Sequence, residues 1–337
     1  MIEKELLLEI QHNFPLCRFP FAELAKRVGA NEDEVIEILQ KNKNEKIIRQ
    51  TSAIFDTKKL GYKSSLVALE VDPSELETAV FNINKHPGVS HNYLRQHKFN
   101  LWFTIAIAPD SKFSLESSVQ YLAKKANVTN YLILPTLKMF KISVKLDTTS
   151  SGAKKEEIKQ KSCKEITLNE LHFRVIEVLQ SDLKFEKEPF LHMIEKLAIG
   201  YDEFFDYLKE LQESGVMRRF ASILNHKKAG FGANAMVVWE VGEDVAKYGQ
   251  IAAGFSFVSH CYQRPVFENW KYNLFTMMHA TSDEELESFI EMAANEIKHD
   301  SKEILTSLKE FKKVRIVYFS EEFGKYENEV SDEFFGA

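Results

Sequence analysis

The sequence predicts an α+β protein that arose by tandem duplication, with helices followed by an antiparallel sheet in each half. Three observations support this class. Similar residues recur at one constant offset along the chain. Within each half, the spacing of apolar residues changes from a helical period to alternation. A polar segment rich in serine and lysine, residues 147–163, separates the halves as a linker would.

The duplication is visible in residues that match at a separation of 169 positions. These pairs are Pro20 with Pro189, Glu34 with Glu203, Gly61 with Gly230, His91 with His260, Tyr93 with Tyr262, and Arg95 with Arg264. Asn100 matches Asn273 at a separation of 173, so the second half carries four additional residues in this region. A constant offset over this length indicates a fused duplication.

Each half begins with a helix-turn-helix pattern. In the first half the predicted elements are helices at 2–11, 20–27 and 31–44 and short strands at 47–49 and 53–55. Pro20 suits the first turn of the second helix, and Asn31 suits the cap of the third. Three helices and a two-stranded wing make residues 1–61 a winged helix-turn-helix domain.

Residues 62–146 are predicted to form a ferredoxin-like domain. The apolar pattern predicts, in order, strand 66–71, helix 73–84, strand 89–95, strand 100–107, helix 112–126 and strand 138–146. This βαββαβ order is that of the ferredoxin-like fold, in which an antiparallel sheet carries its helices on one face.

The second half repeats this organisation. Its winged helix-turn-helix domain is predicted over 164–229, with helices at 165–179, 189–197 and 201–213. Its ferredoxin-like domain is predicted over 230–320, with an opening strand at 235–241 and a closing strand at 314–319. The acidic tail that follows, residues 321–337, is expected to be disordered or to pack against a partner.

The charge argues against a nucleic-acid partner. The formal net charge is −6 and the pI is about 6.0, whereas dedicated nucleic-acid binders usually present a basic face. The third helix of each half, which would enter the major groove, is acidic. Residues 31–44 carry four acids against two lysines, and residues 201–213 carry five acids against one lysine. Duplex phosphates would repel such helices.

The sequence also lacks the patterns of an exported or membrane protein. No apolar run approaches the ~18 residues of a membrane span, and the first residues are acidic where a signal peptide is basic. Cys17, Cys163 and Cys261 form no CxxC pair, which argues against a disulfide framework or a cysteine zinc site. We therefore expect a cytoplasmic protein that does not bind membranes.

Two segments combine imidazoles, a fixed cation and flat aromatic rings. They are HNYLRQHKFNLWFT at 91–104 and HCYQRPVFENWKYNLFTMMH at 260–279. The rings can cover the faces of a large planar ligand, an arginine can pair with its carboxylates, and imidazoles can exchange protons or ligate a metal. The alternative is a pair of strands whose aromatic side chains are core. The presence of two copies favours a ligand site.

These segments, together with PTLKMFKISVKLD at 135–147, resemble those of the siroheme decarboxylases, Lrp/AsnC-like proteins that have lost DNA binding. That family has two homologous subunits, and the chain resembles a fusion of both. The resemblance implies loss of two acetate carboxyl groups of siroheme as carbon dioxide, giving 12,18-didecarboxysiroheme in heme d1 or alternative heme biosynthesis. It implies no separate cofactor, because the substrate carries its own iron.

This chemistry requires a proton donor at the carbon that loses carbon dioxide, and an imidazole has a suitable pKa. The catalytic candidates are His97, His260, His279 and Tyr262. The tyrosine could donate to a carboxylate or to developing negative charge. One histidine could instead be an axial ligand to the iron of siroheme, since no metal of the protein's own is expected. Each histidine could also be a strand residue that bonds a backbone carbonyl.

The predicted substrate-binding residues supply cations, polar groups and rings. They are His91, Tyr93, Arg95, Asn100, Trp102, Arg264, Trp270, Lys271, Tyr272, Asn273 and Phe275. The two arginines occupy equivalent positions and could each hold a carboxylate through paired hydrogen bonds. The aromatic members could equally be core residues.

Two other functions remain open: a tetrapyrrole-sensing Lrp/AsnC-type transcription regulator, and a non-catalytic tetrapyrrole carrier. The expected partners are siroheme and didecarboxysiroheme, with intramolecular pairing of the two halves and a homodimer left open. Only the first half has the equivalent of His97, and only the second has His279. We therefore expect one pocket, built mainly from the second-half segment and closed by first-half residues, to perform the chemistry.

Overall fold

A computed structural model describes residues 2–142, 164–225 and 232–335; the predicted linker at 147–163 lies outside the described residues. The described helices are α1 Ile2–His12, α2 Pro20–Val28, α3 Glu32–Asn44, α4 Leu76–Lys85, α5 Leu115–Lys125, α6 Glu170–Leu179, α7 Leu191–Leu197, α8 Tyr201–Glu213, α9 Val245–Gly254, α10 Asp283–Glu296 and α11 Glu322–Phe335. The described strands are β1 Ile48–Phe55, β2 Lys63–Leu69, β3 Val89–Arg95, β4 Leu101–Ile107, β5 Tyr131–Pro135, β6 Lys138–Ile142, β7 Met217–Leu224, β8 Ala233–Glu240, β9 Val258–Gln263, β10 Leu274–Ala280 and β11 Ser301–Lys313.

The described residues divide into two compact units. One contains residues 2–60 and 164–225, and the other contains residues 61–142 and 232–335. Each unit therefore combines matching parts of both halves. The first is a helical unit with a two-stranded sheet, and the second is a sheet unit of nine strands. The α+β duplication and its helix-turn-helix and ferredoxin-like parts are confirmed.

The helical unit follows the predicted capping signals. Pro20 occupies the first turn of α2, and Gly29 ends this helix at a φ of 69°, which glycine adopts without a steric penalty. The side chain of Asn31 accepts a hydrogen bond from the Glu34 backbone N–H at 2.8 Å, as an N-cap residue does. The two recognition-type helices, α3 and α8, thus lie where the helical pattern predicts them.

The predicted wing of two short strands at 47–49 and 53–55 is wrong. Residues 48–55 form one strand, β1, which pairs antiparallel with β7 of the second half. The polar residues that resembled a turn lie inside this pairing. Thr51 faces Ser222, and their hydroxyl oxygens are 2.6 Å apart in a buried contact. Because the two buried hydroxyls form a hydrogen bond with each other, burying them costs little free energy and the strand continues without a break.

The sheet unit exchanges strands between the halves. Its strand order is β5-β2-β4-β3-β11-β8-β10-β9-β6. The first-half strand β6 pairs with β9 of the second half, and the long β11 pairs with β8 through Ser301–Thr306 and with β3 from Ser307 onward. The two end strands, β5 and β6, are consecutive in the chain, where Thr136 and Leu137 connect them.

The closing strands differ from the prediction. The first-half sheet is completed by β5 at 131–135, and the strand predicted at 138–146 instead begins the crossing to the second half as β6. The second-half sheet is completed by β11 at 301–313 and not by residues 314–319. In β11 only Leu305 is fully buried, and many of the other residues are charged. The segment therefore shows no apolar periodicity from which a strand could be predicted.

Three cores hold the sheet unit. Two lie under the helices, one beneath α4 and α5 and one beneath α9 and α10. Phe140 of β6 belongs to the second and lies against Gly249 of α9, where an added Cβ would be 2.4 Å from the phenyl ring. The third core consists of strand and loop residues on the sheet face away from the helices, here called the inner face.

The tail was expected to be disordered or to pack against a partner, and this expectation is wrong for residues 322–335. They form α11, which packs on the first half of the sheet unit. The Lys112 backbone N–H donates to Glu327 at 3.2 Å, and the Tyr121 hydroxyl donates to Glu333 at 2.6 Å. Phe323 contacts the ring of Tyr62. Two acids of the tail, Glu327 and Glu333, therefore have partners within the chain.

Candidate functional site

The inner face carries two matched triads, one on β3 and one on β9. The first-half site is His91, Tyr93 and Arg95, and the second-half site is His260, Tyr262 and Arg264. Alternate residues of a strand point to the same face. Tyr93 pairs in register with Trp102 and Tyr262 with Phe275, and both partners belong to the inner core. The duplication therefore places equivalent polar groups on one face of the sheet.

Both arginines are buried cations that lack a full set of partners. Arg95 donates through Nη1 to the Leu305 carbonyl at 2.6 Å, and Arg264 donates through Nη1 to the Leu134 carbonyl. The Nε of each has no hydrogen-bond partner, and neither forms an ion pair with any described residue. Burial lowers the pKa of each guanidinium to about 10, so both remain charged at neutral pH. A buried cation without a counter-charge favours an anionic ligand.

The neighbouring strands make the two sites different. The hydroxyl of Tyr93 donates to Glu310 of β11 at 3.2 Å, and Lys313 of the same strand lies in register with His91. In the second half β6 takes this place, with Met139 opposite Tyr262 and Ile142 opposite His260. One site therefore has a carboxylate and an ammonium beside it, and the other has two apolar side chains.

The histidines differ as well. The Nδ1 of His91 is 3.0 Å from the hydroxyl of Ser90, which is 2.7 Å from that of Thr104. The second half keeps the serine but has a second imidazole in place of the threonine. Ser259 Oγ is 2.8 Å from His260 Nδ1 and 2.8 Å from His279 Nε2. The fold thus brings His260 and His279, two of the predicted proton donors, to the same serine hydroxyl.

His97 lies elsewhere, among different residues. It follows the end of β3, where its Nδ1 accepts from the Phe99 backbone N–H at 2.9 Å and its Nε2 is 3.0 Å from Glu303. Its ring meets that of Trp270 edge-on, with centroids 5.6 Å apart. No described contact joins it to His260 or His279, so the three predicted acid candidates divide into a pair and a single residue.

The large aromatic residues form the inner core. Trp102, Trp270 and Phe275 are each at most 2% exposed, and Tyr272 belongs to the same cluster. The indole N–H groups of the tryptophans donate to backbone carbonyls at 2.6 and 3.0 Å. In this conformation protein covers these rings. Their stacking on a ligand stays a prediction, while their contribution to the core is direct.

Three further predicted binding residues have partners in the fold. Asn100 and Asn273 use both ends of their amides to pair with the backbone of Val71 and Val241, which ties the end of one strand to the next. Lys271 forms an ion pair with Glu240 at 2.7 Å. Their predicted contacts with substrate would have to be made in addition to these.

Several residues of the second-half site were missed. Ser259 precedes its histidine, as Ser90 does 169 positions earlier, and this repeated Ser-His pair is a signal that the duplication could have supplied. Met139 and Ile142 carry no such signal, because only the strand exchange brings them beside β9.

Among the described residues, no group of three or more His, Cys, Asp or Glu could hold a metal ion. Nor does any helix in the described ranges have the length and apolarity to span a membrane.

Comparisons with known proteins identify the parts of the chain. Residues 3–49 match the family described as the siroheme decarboxylase NirDL-like HTH domain. Residues 59–141 and 228–312 each match the AsnC-like ligand binding domain. The first-half helix-turn-helix region and the two sheet regions thus correspond to known domain families.

Full-length relatives are also found. The chain is 41% identical to a siroheme decarboxylase of Hydrogenobacter thermophilus over 97% of both chains. It is 32% identical to the siroheme decarboxylase NirDL subunit of Paracoccus denitrificans over 84% of this chain and 86% of the relative. The crystal structure of the siroheme decarboxylase NirDL in complex with an iron-uroporphyrin III analogue is similar, with a TM-score of 0.76, 36% identity and coverage of 98% and 99%. The predicted resemblance is confirmed, and the chain belongs to the siroheme decarboxylase family.

Proposed function

We propose that this protein is a siroheme decarboxylase that converts acetate side chains of siroheme to methyl groups with release of carbon dioxide. The observation that carries the proposal is the second-half site, where a buried guanidinium without a counter-charge, that of Arg264, directly follows strand β9, which contains His260, one of two linked imidazoles. Loss of two carboxyl groups would give 12,18-didecarboxysiroheme, a precursor in heme d1 or alternative heme biosynthesis. The iron belongs to the substrate, and no further cofactor is part of the proposal.

The reaction needs one proton for each carboxyl group lost. The bond between the methylene carbon and the carboxylate breaks, carbon dioxide leaves, and the electron pair remains on the methylene carbon. A proton from an imidazole then completes the methyl group. His260 and His279 are the donors in this proposal, and His97 lies outside their contacts. One of these imidazoles could instead ligate the iron.

Arg264 is proposed to anchor a carboxylate that stays on the macrocycle. A guanidinium paired with the departing carboxylate would stabilise the ground state more than the transition state, because that negative charge is lost in the reaction. A pair with a neighbouring carboxylate holds the substrate throughout. The Tyr262 ring lies 5.1 Å from the guanidinium carbon.

The second-half site is the better candidate for chemistry. Siroheme carries eight carboxylates, and Glu310 beside the first-half site would repel them. Met139 and Ile142, which are 43% and 44% exposed, offer apolar contact to the face of a macrocycle instead. Both come from the first half, as expected for a second-half pocket that first-half residues close.

The alternatives differ in what happens to the tetrapyrrole and to DNA. A regulator would bind DNA through α3 and α8, whose exposed acids oppose this. A carrier would bind siroheme and leave it unchanged. We propose neither nucleic acid nor membrane as a partner and a cytoplasmic location, with the halves paired through β1, β6 and β11. A homodimer is compatible with this pairing.

The test is anaerobic incubation of the purified protein with siroheme, followed by mass spectrometry of the extracted tetrapyrrole. Loss of two carbon dioxide units is expected, and a chain with both His260→Ala and His279→Ala is the matched control. Bound siroheme of unchanged mass would favour the carrier. A mobility shift of duplex DNA at low salt would favour the regulator.

A further inference from the structure

Ser259 lies between two imidazoles that belong to adjacent strands. Its hydroxyl oxygen is 2.8 Å from Nδ1 of His260 on β9 and 2.8 Å from Nε2 of His279 on β10. The side chain is buried, with 5% of the residue exposed. The only other bond the hydroxyl has among described groups is a longer one, 3.3 Å, to the Met277 carbonyl. Both imidazole contacts are therefore of ordinary hydrogen-bond length and the third is weaker.

The single hydroxyl of Ser259 restricts which nitrogens of the two imidazoles can carry a proton. It has one hydrogen to donate and two lone pairs to accept with. When Ser259 donates to one imidazole nitrogen, the other imidazole must offer an N–H for the second bond to form. The protonation of His260 at Nδ1 and of His279 at Nε2 is consequently coupled through one oxygen.

The first half provides a comparison within the molecule. Ser90 occupies the equivalent position and is 3.0 Å from His91 Nδ1, but its second neighbour is the hydroxyl of Thr104. A threonine hydroxyl does not titrate near neutral pH, so this chain ends without a second proton donor. Among the contacts described above, the serine of the second half joins two titratable rings, and the serine of the first half joins one.

We propose that Ser259 is a positioning residue that links His260 and His279 into one proton-transfer chain for the decarboxylation. The inference rests on the proposed function. As the Nε2–H of His260 passes to the methylene carbon, Nδ1 of the same ring takes the hydroxyl proton of Ser259. The hydroxyl takes the Nε2 proton of protonated His279 in turn. One proton reaches carbon, the electron pair of the lost C–C bond forms the new C–H bond, and His279 becomes neutral.

This arrangement suits a substrate that loses two carboxyl groups. Each loss consumes one proton, and the same chain can serve the second loss once His279 has taken up a new proton from solvent. Replacing Ser259 should then slow the chemical step and leave siroheme binding almost unchanged, because the hydroxyl is directed at the imidazoles.

The test compares Ser259→Ala, Ser259→Thr and the matched Ser90→Ala. We expect Ser259→Ala to lower kcat about 10- to 100-fold, with a change in KM for siroheme of less than about threefold. Ser259→Thr keeps the hydroxyl and should recover kcat to within about fivefold of the wild type. Ser90→Ala should retain the wild-type kcat. Binding of the iron-uroporphyrin III analogue, followed by absorbance, checks that each variant folds.

Three results would overturn the inference. They are an unchanged kcat in Ser259→Ala, a change confined to KM, and a threonine variant no more active than the alanine variant. Each of these presupposes an active wild-type protein. A wild-type protein that leaves siroheme unchanged would refute the proposed function itself, which separates the two failures.

Discussion

The two halves of the sheet unit carry the same triad in different surroundings. His91, Tyr93 and Arg95 have Glu310 and Lys313 beside them, whereas their counterparts on β9 have Met139, Ile142 and a second imidazole. The strand exchange causes this difference, since each triad is flanked by a strand from the other half. A duplicated scaffold can thus keep one set of polar groups and change their surroundings through the neighbouring strand.

The largest difference between the halves should appear in the histidines. His260→Ala should lower kcat by about 10²- to 10⁴-fold, the usual contribution of a general acid, while His91→Ala should change it less than about threefold. Steady-state assays of carbon dioxide release would measure both. Equal losses in the two variants would show that both sites take part and would remove the proposed division of roles.

Alanine variants of the two arginines should have similar effects on stability but different effects on ligand binding. Both tie β3 or β9 to a backbone carbonyl, so Arg95→Ala and Arg264→Ala should lower the melting temperature by similar amounts. Only Arg264→Ala should weaken binding of the iron-uroporphyrin III analogue, by about 10- to 100-fold, the value of one charge-assisted hydrogen bond to a carboxylate. Spectroscopic titration would measure the affinity, and a comparable loss in Arg95→Ala would argue for two ligand sites.

His86 is a buried histidine of the first half that has no counterpart at the equivalent position of the second half. Burial, together with the charge of Lys312, lowers the pKa of His86 to about 3, and the equivalent position in the second half is Phe255. Below the ordinary value of about 6.5 the unfolded chain binds a proton that the folded protein excludes, so stability falls as the pH falls from about 6.5 toward 3. At pH 5 the loss should be about 2 kcal/mol.

Urea unfolding at pH 7 and pH 5 would measure this effect, with His86→Phe as the matched variant. The variant should lose less stability between the two pH values than the wild type does. An identical loss in both proteins would assign the pH dependence to other groups.

The smallest effects should come from the flanking strands. Met139→Glu gives the second-half site the carboxylate of the first and should weaken analogue binding several-fold, about 1 kcal/mol for one partly exposed repulsive charge. Glu310→Met makes the opposite exchange. If it raises the number of analogue molecules bound per chain from one to two, the neighbouring strand alone distinguishes the sites.

Much of the fold was predictable because local signals agree with tertiary structure. Asn31 caps its helix as its type suggests, and the apolar residues 101–107 form the buried strand β4. The predictions of secondary structure fail where contact with a distant segment determines the conformation. Thr51 lies within a strand because Ser222 faces it, and β11 is a strand although its residues are mostly charged. Periodicity within one segment contains no information about a partner more than a hundred residues away.

The residue types of the candidate site were predictable, and their arrangement was less so. The repeat of histidine, tyrosine and arginine identified both triads, and His279 was recognised from its place in the second-half segment. Sequence alone could not separate His97 from the pair, since only the end of β3 places it beside Glu303 and Trp270. The sequence allowed Trp102 and Trp270 either to stack on a ligand or to lie in the core, and in this conformation both are buried in the core.

The shared strand β11 also affects how the chain is made on the ribosome. β3 is synthesised more than two hundred residues before its neighbour, Ser307–Lys313, whereas β6 already exists when β9 appears. Until the last part of the chain emerges, the first-half sheet has an open edge at β3, the kind of edge that pairs with other chains. Growing chains that stop short of residue 307 should therefore be the species most in need of a chaperone, and completion of β11 removes that hazard.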